Sequence, residues 1–599
     1  MKIKSINYVK KNSKRASIGF LILLSFLYIA ILHGLVPFKL SPTLGQLLWT
    51  SGFANSLSNS NNSLAIYAKN IGYPKPAPIA FGLSGAFPTS LLIKTGLHPM
   101  DAYIIMALFW VYIAFFGAYL LSNRLSNDTF DSILSALIWS AQPIIWKHSG
   151  YSMLSLGIAL LPFYFYSTYT LNCIEKEKKL TKKLLFFFFS VLTSIISVFM
   201  DGYTFVMFAL LSMIFLGINL IKRIVNNFEL KYFIPFILQS MILIGSYFLY
   251  ASYIGMSQFP KVDLEQFRAW GMDLTFFFTP TSGVFWLWDK FGLAVERSTR
   301  LFYGDKSVWE TTFTLPMLIA VVLTFRKRIN NMTQYIFILL FILSFFLSLG
   351  PSIKLGQVKP KDYSGNTMPL NHVKYKSGLG ILYEQAPAFS NMRATYRWNA
   401  LSVFCLWFLF AINLNNISSY KKKVLIILLL LFIAPDLKRH VIAKRENYID
   451  FKTLEYEVIK PLDKVLCEKE IVAFLPRNND FLVNYIAPST NIFSLNIGGD
   501  KNYEYASRYW PKEMNKFEIR EIGNEFSRKA IDLLKSTEVD AIVFSKIDTL
   551  EAAHSWPSPK RFQKRLENEL SEIYNTPGLS FTETNYFFIM REKASCVSE

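Results

Sequence analysis

Apolar runs too long for a soluble core dominate this chain. LLFFFFSVLTSIISVFM (184–200) and VLIILLLLFIAP (424–435) are two of them, and most approach the roughly 20 residues a helix needs to cross about 30 Å of hydrocarbon. With 599 residues, 52% of them hydrophobic and 54 phenylalanine, the chain reads as a polytopic α-helical membrane protein. The first run, 16–36, is too long for a signal peptide and lacks a small-residue cleavage site, so it is expected to be a retained helix.

The net charge of +21 would suggest nucleic acid in a soluble protein. Its placement argues otherwise, and no nucleic-acid partner is expected. Basic clusters at 2–15, 176–183, 222–223, 326–328 and 421–423 each border an apolar run and fall at every second gap, the signature of cytoplasmic loops. The spans that follow are 16–36, 102–122, 131–149, 152–172, 184–200, 204–221, 232–252, 312–325, 334–350, 399–416 and 424–435. That is about eleven transmembrane helices within residues 1–435, with the N-terminus cytoplasmic. Segments 38–100, 253–311 and 351–397 then lie on the outer side, as does 436–599.

The last of these alternates strand-like EIVAFLP, TNIFSLNI, DAIVFSK and NYFFIM with polar helical stretches such as EFSRKAIDLLKS. The alternation predicts a C-terminal exported α/β domain over 436–599. Cys467 and Cys596 both fall there; a disulfide between them suits an oxidising compartment, and two unpaired thiols are the alternative. The chain shows no paired broken helices in two related halves, as a transporter often does, and its long segments share one side. Chemistry is therefore expected at the outer surface.

The unusual residues sit in those outer segments. NMRATYRWNA (391–400) places Arg393 and Arg397 four apart at the start of an apolar run. If a helix begins there, both share one face. Guanidinium groups bind phosphate with two prongs, so the pair is a candidate lipid-phosphate clamp; snorkelling to headgroups is the bland alternative.

LSLGPSIKLG followed by ILYEQAPAFSNMRATYR resembles a recurrent element of bacterial multi-spanning glycosyltransferases of the type C fold. So does GLSGAFPTSLLIKTGLHPMDAYIIMALFWVYIAFFGAYLLSNRL followed by ALIWSAQPIIWKHSGYSMLSLGIALLPFY. The resemblance covers most of 16–435. It implies a polyprenyl-phosphate-linked sugar as donor, transferred outside the cytoplasm to an envelope glycan, lipid or protein. A bacterial inner-membrane location follows, with the C-terminal domain periplasmic or extracellular. Enzymes of this kind usually carry an acidic residue in the first outer loop. Here that loop reads GLVPFKLSPTLGQLLW, and the first acidic residue in the chain is Asp101.

Glycosyl transfer with inversion needs a carboxylate to take the acceptor proton. Asp201, in SVFMDGYTF, interrupts a run otherwise apolar from 184 to 220 and is the leading candidate, since ionisable residues near membrane depth are costly. A plain Asp-Gly turn is the alternative. Its neighbour Tyr203 is a candidate sugar contact or an interface anchor. Asp101, at the first turn of a helix, and Glu310, just before another, are secondary catalytic candidates; capping also explains Asp101. Asp305 with Glu310 is a weak candidate for a divalent cation. Lys75, in a Pro-rich bend, is a candidate phosphate contact. His148, beside Lys147 in PIIWKHSGY, is a candidate sugar or acceptor contact, although cations are welcome at any helix C-terminus. SGVFWLWDKFG (282–292) reads as an amphipathic segment on the bilayer or a sugar-stacking surface. In the C-terminal domain, Asp500 and Asn502 within SLNIGGDKNYEYASRYWP are candidate glycan contacts, with Tyr503 or Trp510 as a stacking surface; a turn followed by a helix is the alternative.

Two other functional classes fit the same sequence. One is a non-catalytic lipid-glycan transporter or scaffold, favoured by the missing first-loop acid. The other is a polysaccharide ligase or polymerase.

Overall fold

A computed structural model gives the architecture. It describes the chain except residues 1, 63, 127, 256–261, 326–331, 572, 575 and 593–599, and the side chains of 2–15 and 126. The basic cluster 326–328 and Cys596 thus lie outside the described residues. Cys467 is disulfide-bonded, while Cys173 and Cys405 are free.

Eight helices among the described residues are long and apolar enough to cross a membrane: Pro99–Leu125, Pro143–Leu171, Leu180–Met200, Gly202–Asn226, Leu230–Ile254, Lys306–Thr324, Met332–Leu349 and Thr395–Asn416. Ala16–Leu32 is a shorter apolar helix, and Ser419–Ile433 spans 15 residues. The protein is a multi-pass membrane protein. Where the sequence placed spans at 131–149 and 152–172, the structure divides the chain differently. A 12-residue helix, Thr129–Ser140, extends only about 18 Å. Pro143 then restarts the chain, because proline cannot supply the amide that would continue the earlier helix. The second helix is interrupted by a 3₁₀ stretch, Lys147–Tyr151.

The chain forms two compact units. The first comprises Met1–His33, Leu108–Tyr250 and Pro260–Val441; the second comprises Gly34–Ala107, Ala251–Phe259 and Ile442–Glu599. The first unit is helical and is built around Asn399–Asn413, which is buried along nearly its whole length. Phe408 stacks on Phe337 at 3.6 Å between centroids, and Phe165 meets both edge-on. Polar groups inside this bundle find partners on neighbouring helices. The Trp407 indole donates to the Ser135 carbonyl and that of Trp139 to the Ala159 carbonyl, each at 2.8 Å. Hydroxyl pairs join Thr168 to Ser212 at 2.8 Å and Ser344 to Ser402 at 2.9 Å. Hydrocarbon offers such groups no water, so they must pair within the protein. Outward, Phe188, Leu192, Ile244 and Phe248 are exposed, as a lipid-facing surface requires.

Two glycines bring backbones into close approach. A Cβ on Gly157 would lie 2.4 Å from Thr204 Oγ1. Gly350, in the LSLGPSIKLG stretch, has φ +71° and leaves space that a Cβ would fill 2.6 Å from Thr395 Oγ1. Near the Trp-rich segment, Trp288 donates to the Phe432 carbonyl at 2.9 Å while Phe291 stays exposed. A two-stranded antiparallel pair, β1 (Ser352–Ile353) and β2 (Tyr375–Lys376), lies in the connection 351–397.

The second unit carries a five-stranded sheet, β3 (Ile471–Leu475), β4 (Phe493–Ser494), β5 (Ala541–Ser545), β6 (Leu579–Glu583) and β7 (Phe587–Glu592), in the order β4-β3-β5-β7-β6. β3 runs parallel to β4 and β5, whereas β7 is antiparallel to β5 and β6. β5 is buried at every residue, as expected of a strand covered on both faces. Segments of 34–107 belong to the same unit: Ile71 bridges Ser494, and Lys444 Nζ donates to the Pro42 carbonyl at 2.7 Å.

Candidate functional site

Arg397 is the centre of the most unusual side-chain cluster in the first unit. It lies in a 3₁₀ turn, Thr395–Trp398, that leads into Asn399–Asn413. Its guanidinium carbon stands 4.6 Å from the ring centroid of Tyr203, 4.9 Å from that of Tyr151 and 5.9 Å from that of Tyr396. Aromatic faces attract such a cation. Its Nε donates to the Tyr396 hydroxyl at 3.5 Å. Among the described residues no carboxylate forms an ion pair with it, so its terminal nitrogens present an unspent pair of donors.

Separate parts of the sequence build this cage. Tyr203 follows the 201–202 break between two long helices, and its hydroxyl accepts from the Ala394 amide at 3.2 Å. Tyr151 closes the 3₁₀ interruption 147–151. Behind Tyr396, the buried His148 stacks ring on ring at 5.7 Å with an interplanar angle of 8°. His148 Nδ1 lies 2.6 Å from the Ile144 carbonyl, and Nε2 lies 3.2 Å from the Tyr396 hydroxyl. The same hydroxyl is 2.8 Å from Ser307 Oγ, which bonds in turn to the Asp305 carboxylate. Asp305 caps the short helix Lys306–Glu310 through the Ser307 amide at 2.8 Å and accepts from the Trp270 indole at 3.2 Å.

Asp201 joins the cluster from the same break as Tyr203. It is buried, caps Gly202–Asn226, and accepts from the Thr204 amide at 3.0 Å. Burial pushes its carboxyl pKa up, while the Thr204 amide and the charge of Arg397 pull it down. The turn signal and the buried carboxylate expected at this position are thus one residue.

The expected arginine pair takes a different shape. No α-helix begins at 393: a 3₁₀ turn covers Phe389–Asn391, and Met392 (φ −97°, ψ +55°) and Ala394 (φ −91°, ψ +74°) lie outside the helical region. Arg393 is therefore exposed on an irregular segment, Arg397 is half-buried in the turn, and the two share no helical face. Glu310 is held by Lys147 at 3.0 Å, so its charge is neutralised within the protein. Among the described residues no three His, Cys, Asp or Glu side chains are grouped to hold a metal ion. Asp305 and Glu310 have the protein partners just given.

The remaining candidates belong to the second unit. Asp101 is buried and accepts from the Phe38 amide at 2.9 Å, fastening the first long connection and not its own helix end. Lys75 is exposed, with Nζ 4.9 Å from the Tyr509 ring. Asp500 accepts from the Asn479 amide side chain at 2.8 Å. Asn502 is buried; it accepts from the Ala80 amide at 3.2 Å and donates to the Pro78 carbonyl, so both ends of its side chain are engaged internally. Trp510 is buried as well and donates to the Leu495 carbonyl at 2.7 Å, leaving Tyr503 packed edge-on against it and no open stacking surface on the indole.

Sequence reasoning did not single out Tyr151, Ser307 or Tyr396. Ser307 alone had a readable signal, since Asp-x-Ser is a side-chain-to-backbone capping pattern.

Solved structures place this architecture among known ones. The apo structure of ArnT from Cupriavidus metallidurans superposes with a TM-score of 0.50 at 9% identity, over 96% of this chain and 98% of that one. The fold is that of a type C glycosyltransferase. The same ArnT bound to undecaprenyl phosphate gives 0.48, with the same identity and coverage. Archaeal oligosaccharyltransferase AglB from Archaeoglobus fulgidus, in complex with an inhibitory peptide and a dolichol-phosphate, gives 0.39 at 13% identity over 90% and 71% of the two chains. No protein-family model matches the sequence, and no curated protein matches it.

Proposed function

We propose that this protein is a membrane glycosyltransferase that takes a sugar from a polyprenyl-phosphate donor and passes it to an envelope glycan or lipid on the outer side of a bacterial inner membrane. One observation carries the reading: the Arg397 guanidinium is enclosed by tyrosine rings and, among the described residues, left without a carboxylate partner. A half-buried cation with free donors favours an anion, and a guanidinium's paired N–H groups match a phosphate. The type C fold supports a lipid-borne phosphate as that anion.

In this reading Arg397 binds the donor phosphate and stabilises charge on the leaving group, with Arg393 adding positive charge at the approach. Asp201 supplies the carboxylate that accepts the acceptor's proton, taking the place of the absent first-loop acid. Tyr203 and His148 line the same cluster. Residues 436–599 form an exported domain that selects or presents the acceptor, through the region of Asp500.

The test uses full-length wild type, Asp201→Asn and Arg397→Ala, with radiolabelled polyprenyl-phosphate sugars and envelope acceptor, scoring donor binding and sugar transfer. The reading expects Asp201→Asn to bind donor without turnover and Arg397→Ala to lose donor binding. A wild type that binds donor and never transfers sugar refutes the transferase reading.

A further inference from the structure

We infer that Tyr396, itself fixed by His148 and Ser307, is a positioning residue that aims the Arg397 guanidinium at its anion. The inference rests on the phosphate-binding reading of Arg397 and adds the residues that set the geometry.

The hydrogen-bond directions follow from the partners. A carbonyl oxygen only accepts, so His148 Nδ1, 2.6 Å from the Ile144 carbonyl, carries a proton. In the neutral imidazole Nε2 is then an acceptor, and the group facing it at 3.2 Å is the Tyr396 hydroxyl. The ring stack at 5.7 Å and 8° holds the two side chains parallel. The phenol has a single proton, and Ser307 Oγ accepts it at 2.8 Å, because Ser307 spends its own hydroxyl proton on the Asp305 carboxylate; His148 therefore holds Tyr396 through the ring stack. Tyr396 is fully buried; His148 holds its ring and Ser307, backed by Asp305, holds its oxygen.

That oxygen is the acceptor for Arg397 Nε, at 3.5 Å. A guanidinium is planar and rigid; anchoring Nε and packing the group against the Tyr151 and Tyr203 rings leaves only the edge carrying the two terminal nitrogens for a ligand. This is the edge that engages a phosphate with two parallel hydrogen bonds. Without the phenol oxygen, the guanidinium keeps its charge and its aromatic neighbours and loses its fixed rotation. An orienting role of this kind predicts selective loss of affinity for the phosphate, with the affinity for the hydrocarbon tail untouched.

The experiment measures binding of undecaprenyl phosphate and of uncharged undecaprenol to full-length protein in nanodiscs, for wild type, Tyr396→Phe, His148→Gln and Arg397→Lys. The readout is the ratio of the two affinities, which general destabilisation does not move. Tyr396→Phe keeps the ring stack and is expected to lower the ratio about ten-fold, the order of one hydrogen bond to a charged group. His148→Gln, which removes the ring stack and leaves the bond to Ser307, is expected to lie between it and wild type. A normal ratio in both variants, with a lowered ratio in Arg397→Lys, overturns the positioning role and leaves the phosphate reading standing. A wild type with no preference for the phosphate overturns both. If Tyr396→Phe does not fold, the His148→Gln ratio decides alone, an unchanged value refuting the inference.

Discussion

Asp480 makes the sharpest quantitative prediction. This carboxylate is fully buried beneath the sheet-bearing unit's loops, where Oδ1 accepts from Thr549 at 2.5 Å and Oδ2 from Asn496 at 2.7 Å and the Asn478 amide at 3.2 Å. Burial outweighs these donors and pushes its pKa up to about 7, with the charge of Asp548 adding to the rise. In the unfolded chain the value is about 3.9. The folded state thus holds the proton over a range where the unfolded state has released it, and stability falls as pH rises from about 4 to about 7. Between pH 5 and pH 7.5 the unfolded carboxyl gains about 2.5 powers of ten in ionisation and the folded one about 0.6, so the group costs roughly 2.5 kcal/mol over that interval. Asparagine reproduces the protonated form: its amide can donate to Thr549 while its oxygen accepts from Asn496 and Asn478. Hydrogen exchange of the β3 and β5 amides in full-length protein, corrected for intrinsic rates, should show wild type and Asp480→Asn alike at pH 5. At pH 7.5 the variant should be protected about two powers of ten better. A difference that does not change with pH, or a variant less protected at pH 7.5, would refute the reasoning.

Further outcomes follow from the first unit. Asp201→Asn should change thermal stability by less than about 1 kcal/mol, because asparagine caps a helix as well as aspartate; a larger loss, seen by thermal unfolding, would make Asp201 mainly structural. Arg393→Ala should weaken donor binding less than Arg397→Ala, with the Arg393 effect fading at high salt because that side chain is exposed; a salt-independent loss would place Arg393 inside the phosphate site. Glu310→Gln leaves Lys147 unpaired at a half-exposed site and should cost at most about 1 kcal/mol without abolishing transfer; loss of transfer with intact folding would give Glu310 a chemical role. Gly157→Ala drives a Cβ into Thr204 and should destabilise by about 1–3 kcal/mol, read as a lower unfolding midpoint.

The apolar runs announced the long helices because the bilayer leaves so little choice of length and polarity. Asp201, Tyr203, His148, Asp305 and Arg397 stood out in sequence as polar residues at the margins of such runs, and the fold brings them into one cluster. Tyrosine gave no comparable signal: interface tyrosines are common in membrane proteins, and only the packing separates Tyr151 and Tyr396 from the rest. The shared face expected of Arg393 and Arg397 depended on a helix whose start was invisible in a short polar stretch. The non-helical backbone at Met392 and Ala394 delays that helix until Asn399. Strand β6, LSFTE, gave a weak signal because three of its five residues are polar and its last two are exposed, whereas β5 was plain from AIVF.

The 3₁₀ interruption at Lys147–Tyr151 has a consequence for how this protein can evolve. Five residues turn about 600° as 3₁₀ helix and about 500° as α-helix, so the stretch advances the phase of everything after it by roughly one residue. The contacts of Gly157 with Thr204 and of the Ala159 carbonyl with Trp139 are set by that phase. Substitutions within 147–151 can leave it intact, but a single insertion or deletion there would rotate the following half-helix by about 100° and present the wrong side chains to its neighbours. Among homologues this segment should stay constant in length, with Ser149 and Gly150 freer to vary than His148 and Tyr151.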